Sequence, residues 1–395
     1  MKVIFVTREP FPVGMAATNR IICLAKAYQS AGVDCRVLIF SSCAFKEKSN
    51  RNGVIDGIPY EYLGETKANN SLLRRLSSLK ARFRLFRFLK NDLVPGDYVY
   101  GYYHESNAFT SHVIYLVHKS KAYYISELCE LPYGTGAETK KKRRQRNYAL
   151  KHVFPKFDGV LAISTALKEL AVANCNPRCT VIRVPILVDY QQYALPDMSS
   201  ESEHPYIFHS GTLYEQKDGV LGMIEAFGKA LQRIETDAKF VMTGLLSYSP
   251  HEKEIKELIE RYHLQDRIIF TGYLSKDDLK DYLSKASLVI INKYPSQQNE
   301  YCFSTKLGEY LAAGKPLIVT RVGEVVRWVT DKENALVVEP HDIEAMADAI
   351  VSLFSNKEER ERIGSNARKL CNEAFHYGKY GSQMVQQLKD IAKRC

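Results

Sequence analysis

The sequence lacks any run of apolar residues long enough to cross a bilayer, for which about 20 would be needed. Its first residues, MKVIFVTREPFP, contain too short an apolar run for an export signal and are typical of a buried first strand. The nine cysteines are odd in number and scattered along 395 residues, which indicates reduced thiols rather than a disulfide framework. We therefore expect a cytoplasmic protein without a membrane-spanning segment.

Patterns that hold metals or nicotinamide cofactors are also scarce. Cys175 and Cys179 are spaced C-x3-C, but no second cysteine pair or histidine cluster lies nearby, so ordinary core or surface roles are favoured. No DxD-type pair of acids stands out, and no G-x-G-x-x-G follows the first strand. We expect no obligatory metal and no nicotinamide cofactor.

Positive charge is concentrated in the first half of the chain. Residues 1–200 carry 29 Lys and Arg against 16 Asp and Glu, whereas residues 201–395 carry 26 against 29. This asymmetry suggests that the first half meets an anionic partner, which leaves nucleic acid, membrane phospholipid and a phosphorylated acceptor as alternatives. No aromatic-rich binding motif accompanies the basic residues, so we expect no nucleic acid.

Two segments account for much of this charge. Residues 72–90 contain seven Lys and Arg and no acid, and their Leu and Phe residues recur three or four apart. Such a helix suits either the surface of an anionic membrane, as a peripheral contact on the inner face of the plasma membrane, or a core contact with a solvated basic face. Residues 140–146, KKKRRQR, are either a solvated run or a contact for a phosphorylated lipid carrier.

Strands alternate with helices along both halves of the chain. A strand at Val3–Thr7, a helix near residues 18–31 and a strand at Cys35–Phe40 form a βαβ unit, which predicts a parallel sheet. A second such series begins after residue 205. We predict an α/β fold of two Rossmann-like, doubly wound domains facing a central cleft. The predicted parts are residues 1–190, a linker at 191–204, residues 205–375, and a helix near 376–395 that packs back on the first domain.

The second half contains two segments with residue types suited to phosphate. Ser304 or Thr305 can cap a helix, whose first amides and Lys306 form an anion site, and Glu309 lies one turn further, where its carboxylate can accept ribose hydroxyls. In the loop that starts at His209, Lys217 can neutralise a diphosphate leaving group. A capped amphipathic helix with a solvated glutamate, and a solvated loop lysine, are the alternatives.

With these residues in place, the sequence resembles the retaining family-4 glycosyltransferases of the GT-B fold, also called glycosyl transferases group 1. The resemblance spans nearly the whole chain and is strongest over residues 205–370. Ser210-Gly-Thr-Leu followed by Lys217 resembles the phosphate-binding loop of that family. The run from Thr305 to Val319 resembles its nucleotide-binding helix and the next strand, and Phe270-Thr-Gly-Tyr-Leu resembles the segment bordering the base.

The resemblance implies transfer of a sugar, with retention, from a UDP- or GDP-sugar to a hydroxyl of a lipid-linked or surface-glycan acceptor. It implies that Lys217 holds the diphosphate and that Glu309 holds the ribose. The other implied donor-binding residues are Gly14, Gly211, Thr212, Gly272, Tyr273, Ser304, Thr305 and Lys306. A nucleotide-sugar 2-epimerase shares this architecture and is the alternative enzyme.

The sequence departs from the family pattern at two positions. Tyr301 stands where the family often has an acid that touches the donor sugar. Either the loop is shifted by one residue so that Glu300 performs this role, which we expect, or a neutral contact replaces the acid. Thr212 stands where an arginine often follows the glycine of the phosphate loop.

Overall fold

The computed structural model describes residues 1–41, 51–64, 71–103, 105–134, 136–193 and 204–394, and only the backbone of residues 71–74. Contacts divide the chain into one compact unit of Met1–Leu187 with Tyr377–Cys395 and a second of Val188–His376. Most of the expected linker, residues 194–203, lies outside the described residues. Across the described part of the chain, no helix is both long and apolar enough to cross a membrane.

The first unit alternates strands and helices, as the sequence predicts. Its elements are β1 (Lys2–Thr7), α1 (Ala16–Ser30), β2 (Asp34–Ile39), β3 (Asn52–Ile55), β4 (Ile58–Tyr62), α2 (Ser71–Asn91), β5 (Tyr98–Tyr102), α3 (Asn107–Lys119), β6 (Tyr123–Leu128), α4 (Lys140–His152), β7 (Gly159–Ala162), α5 (Thr165–Asn174) and β8 (Thr180–Arg183). Between α1 and β2, Gly32 has a φ of 79°, as expected for a glycine that ends a helix.

The strands of the first unit form one sheet in the order β3-β4-β2-β1-β5-β6-β7-β8. Each neighbouring pair is parallel except β3 and β4. Residues Val3–Thr7 are all buried, as expected for a central strand covered on both faces. Because β1 lies between β2 and β5, the strand order reverses there, and this point in a doubly wound sheet is where ligands bind.

The antiparallel hairpin of β3 and β4 was not predicted. Asp56 and Gly57 join the two strands with φ values of 48° and 75°. Two successive positive φ values are what the commonest two-residue hairpin turn needs, and Asp-Gly is one of its preferred sequences. The Asp-Gly pair between Ile55 and Ile58 was therefore an available signal that the sequence analysis missed.

The second unit repeats the pattern. Its elements are β9 (Tyr206–His209), α6 (Glu215–Asp218), α7 (Val220–Leu231), β10 (Lys239–Met242), α8 (Glu252–Arg261), β11 (Ile268–Phe270), α9 (Lys276–Lys285), β12 (Leu288–Ile291), α10 (Gln297–Tyr301), α11 (Thr305–Ala312), β13 (Leu317–Thr320), β14 (Leu336–Val338), α12 (Ile343–Ser355) and α13 (Lys357–Ala374). The strands form one parallel sheet in the order β11-β10-β9-β12-β13-β14.

Numbered within its own unit, the second sheet has the order 3-2-1-4-5-6. The first sheet contains the same order in β4-β2-β1-β5-β6-β7, with β3 and β8 added at its two edges. This is the strand order of a doubly wound dinucleotide-binding fold. The prediction of two Rossmann-like α/β domains is therefore confirmed.

The last helix, α14 (Gly381–Arg394), belongs to the first unit. Its apolar residues Met384, Leu388 and Ile391 are buried in the core that also contains residues of β1 and α1. The hydroxyl of Tyr98 donates to the carbonyl of Leu388 at 2.7 Å. Buried apolar contacts and this hydrogen bond together hold the end of the chain on the first sheet.

Helix α2 confirms the helix predicted for residues 72–90, and its apolar residues divide between a buried face and an exposed face. Ser77, Ala81, Leu85 and Leu89 are the buried positions. The outward apolar residues are Leu76, Leu79 and Phe83, with exposed fractions of 48%, 62% and 70%. The helix therefore has one buried face and a separate apolar stripe that faces outward.

Candidate functional site

The loop after β9 packs closely against the side chains of Thr243, Lys306 and His209. The N–H of Gly211 donates to the hydroxyl of Thr243 at 2.8 Å. A Cβ atom on residue 211 would lie 2.4 Å from Nζ of Lys306 and 2.6 Å from Nε2 of His209. Because real Cβ atoms do not approach other atoms this closely, only glycine fits here without moving the buried charges.

Asp218, at the end of α6, is the centre of a buried charge cluster and is only 1% exposed. Thr212 donates its backbone N–H at 3.0 Å and its hydroxyl at 2.9 Å to this carboxylate. Nζ of Lys306 lies 2.5 Å from it and Nζ of Lys293 lies 3.2 Å from it. Burial alone would raise the pKa of Asp218, but the two ammonium groups outweigh burial and hold that pKa below its ordinary value.

Three lysines surround this cluster. Burial lowers the pKa of Lys306 to about 8, against the attraction of Asp218. Lys293, which follows β12, donates to the backbone carbonyl of Lys217. The side chain of Lys217 is exposed and forms no hydrogen bond or ion pair with the residues that the structure describes. The carboxylate of Asp218 thus contacts Lys293 and Lys306, whereas Lys217 has no carboxylate partner among the described residues.

The N-terminus of α11 adds backbone donors. Ser304 occupies the N-cap position, but its side chain accepts no hydrogen bond, so the expected side-chain cap is absent. Within the described chain, the N–H groups of Ser304, Thr305 and Lys306 have no acceptor. Free first-turn amides and the helix dipole favour a negative charge at this end of the helix.

Glu309 lies one turn into α11 and is partly buried. Burial raises its pKa to about 7, although Lys276, Lys306 and Lys280 act in the opposite direction. Its carboxylate forms no hydrogen bond or ion pair with a described residue. Ionisation of this side chain is therefore costly unless a bound molecule supplies hydrogen-bond donors.

Gly272 and Tyr273 follow β11 at the same edge of the sheet. Gly272 has a φ of 72°, and it forms a short antiparallel bridge with Gly244, which follows β10. Tyr273 is 77% exposed. Two other large apolar side chains of the loop after β10, Leu245 and Tyr248, are exposed as well. This edge offers backbone groups and flat apolar surface to a ligand.

Two further residues predicted for the donor site are Gly14 and Glu300. Gly14 belongs to the first unit, where a Cβ on it would lie 2.1 Å from the hydroxyl of Thr18, so packing alone requires glycine there. Glu300 is exposed on the short helix α10 and makes no ion pair with a described side chain. The roles of both residues in a donor site stay predictions.

The sequence analysis missed three polar residues of the cluster, Asp218, Lys293 and His209. Burial and the charge of Lys306 lower the pKa of His209 to about 3. Its Nδ1 lies 3.1 Å from the carbonyl of Ile290, while its buried Nε2 has no partner. The available signal for His209 and Lys293 was position, because they lie at or just after the carboxyl ends of the central strands β9 and β12, whereas Asp218 ends α6 in the connection that follows β9. In the described ranges, no group of three His, Cys, Asp or Glu residues is placed to hold a metal.

The model of the family described as "Glycosyl transferases group 1" matches residues 196–370. Residues 196–370 are therefore similar to the group 1 glycosyltransferases. The match includes Gly211, Lys217, Lys293, Lys306 and Glu309, so the charge cluster lies inside the family's own domain. Among curated proteins, the N-acetyl-alpha-D-glucosaminyl L-malate synthase of Bacillus anthracis is 26% identical over 244 residues, which span 60% of each chain.

Solved structures of similar fold support the GT-B fold for this chain. Sucrose-phosphate synthase from Thermosynechococcus elongatus has a TM-score of 0.75 at 16% identity, covering 100% of both chains. The HepE protein of Anabaena in complex with UDP and glucose has a TM-score of 0.72 at 18% identity, covering 98% of this chain and 99% of its own. At these identities the likeness shows the fold alone.

Proposed function

We propose that this protein transfers a sugar from a nucleotide diphosphate sugar to a hydroxyl group of an acceptor, with retention at the anomeric carbon and without an obligatory metal. The observation that carries this proposal is the cluster of Lys217, Lys293 and Lys306 beside the first amides of α11, one turn from the carboxylate of Glu309. Neither these amides nor this carboxylate has a hydrogen-bond partner among the described residues. Phosphate suits the cations and amides, and ribose hydroxyls suit the carboxylate.

The chemistry follows from the charge that develops in the reaction. The bond from the anomeric carbon to the β-phosphate oxygen breaks, and its electron pair stays on the departing diphosphate. Fixed cations and helix amides stabilise that charge in the transition state more than in the bound substrate. The acceptor oxygen forms the new bond and its proton is released. The chain thus supplies electrostatic stabilisation of the leaving group.

A UDP-sugar is the first donor to test, because HepE, which shares the fold, is known in complex with UDP and glucose. The acceptor we propose is a lipid-linked or surface glycan. The group 1 match and the relatives favour transfer over 2-epimerisation.

One assay tests the function and separates it from the epimerase. The protein is incubated with individual UDP- and GDP-sugars, with and without glycan acceptors, and both the released nucleoside diphosphate and the donor are analysed. A transferase releases nucleotide in step with glycosylated product, and the anomeric signal of that product reports retention. Conversion of the donor to an isomeric nucleotide sugar without nucleotide release would contradict the proposal.

Nucleotide binding is expected to depend on pH through Glu309. Its pKa of about 7 means that the carboxylate becomes protonated as the pH falls through neutrality and then accepts fewer hydrogen bonds. The Kd of wild-type protein for UDP should therefore rise about tenfold between pH 8 and pH 6. Calorimetry measures the Kd of wild type and Glu309→Gln at each pH. Since titration of the nucleotide affects both proteins equally, the difference between their pH profiles reports Glu309. Parallel pH profiles for the two proteins would remove Glu309 from the ribose site.

The outward face of α2 supports peripheral contact with an anionic membrane. At 100° per residue, Leu76, Leu79, Lys80, Phe83, Arg87 and Lys90 fall within one sector of about 100° and are all exposed. Three apolar side chains among three cations suit insertion at the level of anionic headgroups. Two other cations of the helix contact the rest of the unit, since Arg82 pairs with Glu105 and Arg84 donates to the carbonyl of Leu63.

The membrane prediction is tested by sedimentation with vesicles. Leu76→Ser with Phe83→Ser should reduce binding to vesicles of phosphatidylcholine and phosphatidylglycerol without changing stability, because both side chains are exposed. Arg87→Gln with Lys90→Gln should weaken binding about 30-fold at low salt, at about 1 kcal/mol per charge, and less as salt rises.

Phe86→Ser is the matched control for the vesicle experiment. Phe86 packs on Phe109 and His112, with ring centroids 5.4 and 4.7 Å apart, so its loss should lower stability instead. Equal binding of wild type to neutral and anionic vesicles would end the membrane proposal.

A further inference from the structure

A cavity of about 430 Å³ in the first unit is lined by Arg8, Arg75, Ser78, Leu79 and Arg82. We infer that this cavity binds the phosphate group of the acceptor, an assignment that rests on the proposed transferase function. A phosphate can belong to a lipid headgroup or to a soluble phosphorylated molecule, and the three guanidinium groups would recognise it in either.

The position of the cavity in the fold is the first argument. Arg8 follows β1 directly, and Glu105, which contacts both Arg8 and Arg82, lies three residues after the end of β5. These are the two adjacent strands at which the order of the first sheet reverses. Ligands of doubly wound sheets bind outside the carboxyl ends of the strands at this point.

The arginines are held in place by one carboxylate. Glu105, whose side chain is 7% exposed, accepts from Nη1 of Arg8 at 2.8 Å and from Nη2 of Arg82 at 2.9 and 3.0 Å. The guanidinium of Arg82 also lies 5.2 Å from the ring centroid of Phe109. A guanidinium has five N–H donors, so these contacts fix both side chains and leave other donors for a ligand.

The net positive charge of the cavity favours an anion as its ligand. Glu105 compensates one of the three arginines, and Arg75 is exposed and forms no hydrogen bond or ion pair with any described residue. A phosphate group presents pairs of oxygen atoms, and a planar guanidinium group can bind such a pair with two parallel hydrogen bonds. Leu79 contributes to the cavity wall and to the outward apolar face of α2, so the site would also suit a phosphate attached to an apolar chain.

The test is direct binding of sn-glycerol 3-phosphate, measured by calorimetry with wild type, Arg75→Gln and Arg87→Gln. Arg75→Gln should weaken this binding at least tenfold, as expected for the loss of a charge-assisted hydrogen bond. Arg87→Gln removes the same charge from the same helix about 18 Å away, outside the cavity, and should change the affinity less than twofold. Equal affinities of the two variants for the soluble probe and for the vesicles described next would overturn the assignment.

A vesicle experiment distinguishes the two sources of phosphate. If glycerol 3-phosphate does not bind, vesicles of phosphatidylcholine with phosphatidic acid should bind Arg75→Gln several-fold more weakly than Arg87→Gln, which indicates a lipid source. Binding of the soluble probe that depends on Arg75 indicates a soluble acceptor. The donor assay with UDP-sugars remains a separate readout, so a failure of the proposed transferase function shows as absent turnover whatever these titrations give.

Discussion

Replacing Lys217 by alanine is expected to lower kcat about 100- to 1,000-fold with the best donor while leaving the melting temperature unchanged. Lys293 and Lys306 already face the carboxylate of Asp218, whereas Lys217 has no ion-pair partner among the described residues. Its charge is therefore available to a departing diphosphate. Because the side chain is exposed, its removal leaves no cavity and no buried charge.

Steady-state kinetics and thermal unfolding of the same preparations check this result. Lys253→Ala is the matched control, because that side chain is 87% exposed on α8 and pairs only with Glu257 on the same helix. Lys217→Arg keeps the charge and should retain much more activity than Lys217→Ala. Turnover of Lys217→Ala within threefold of wild type would refute the role of this lysine at the leaving group.

Replacing Asp218 by asparagine is expected to destabilise the second unit by about 3–5 kcal/mol, the usual effect of removing one partner from a buried ion pair. The substitution keeps the size of the side chain but leaves Lys306 and Lys293 facing a neutral amide. For a unit of this size, the expected fall in melting temperature is roughly 6–20 °C. The loss of stability is measured by denaturant unfolding that is monitored through the hydrogen exchange of amides in the second unit.

The pH dependence of this difference has a definite sign. The pKa of Asp218 is depressed in the folded protein, so its ionised form adds stability above the ordinary carboxyl value of 3.8, and this stability is lost as the pH falls below that value. The difference in the free energy of unfolding between wild type and Asp218→Asn should therefore become smaller at acidic pH. Thr212→Val removes only one hydroxyl hydrogen bond to Asp218 and should cost about 1 kcal/mol. Equal stabilities of Asp218→Asn and Thr212→Val would refute the buried-pair account.

The periodic elements of the fold were predictable because each one leaves a local pattern. Apolar runs of four to six residues between turn signals predicted most of the central strands, and the alternation with helices predicted parallel sheets. The hairpin of β3 and β4 was missed, although Asp56-Gly57 is a typical sequence for its two-residue turn. The core face of α2 was not identified, because Ser77 and Ala81 are small, and hydrophobic periodicity gives weight to large side chains such as Leu76 and Phe83.

Some residues of the candidate site were also predictable from the sequence, and others were not. Gly211, Lys217, Lys306 and Glu309 could be chosen from the sequence because they belong to short motifs next to a strand or a helix start. Asp218 and Lys293 could not, because nothing local shows that a carboxylate and a lysine 75 residues apart meet at 3.2 Å. Only the parallel pairing of β9 with β12 brings their two loops together.

The sequence by itself determined the fold class, the order of elements, the absence of long apolar runs and the excess of cations in the first 200 residues, since these depend on composition and short-range periodicity. The tertiary structure decided which of those cations are neutralised and which are free. Arg82 and Lys306 are held by carboxylates, whereas Arg75 and Lys217 have no such partner among the described residues. Ion pairing acts over a few ångströms in space, so it follows from the packing of distant strands and not from distance along the chain.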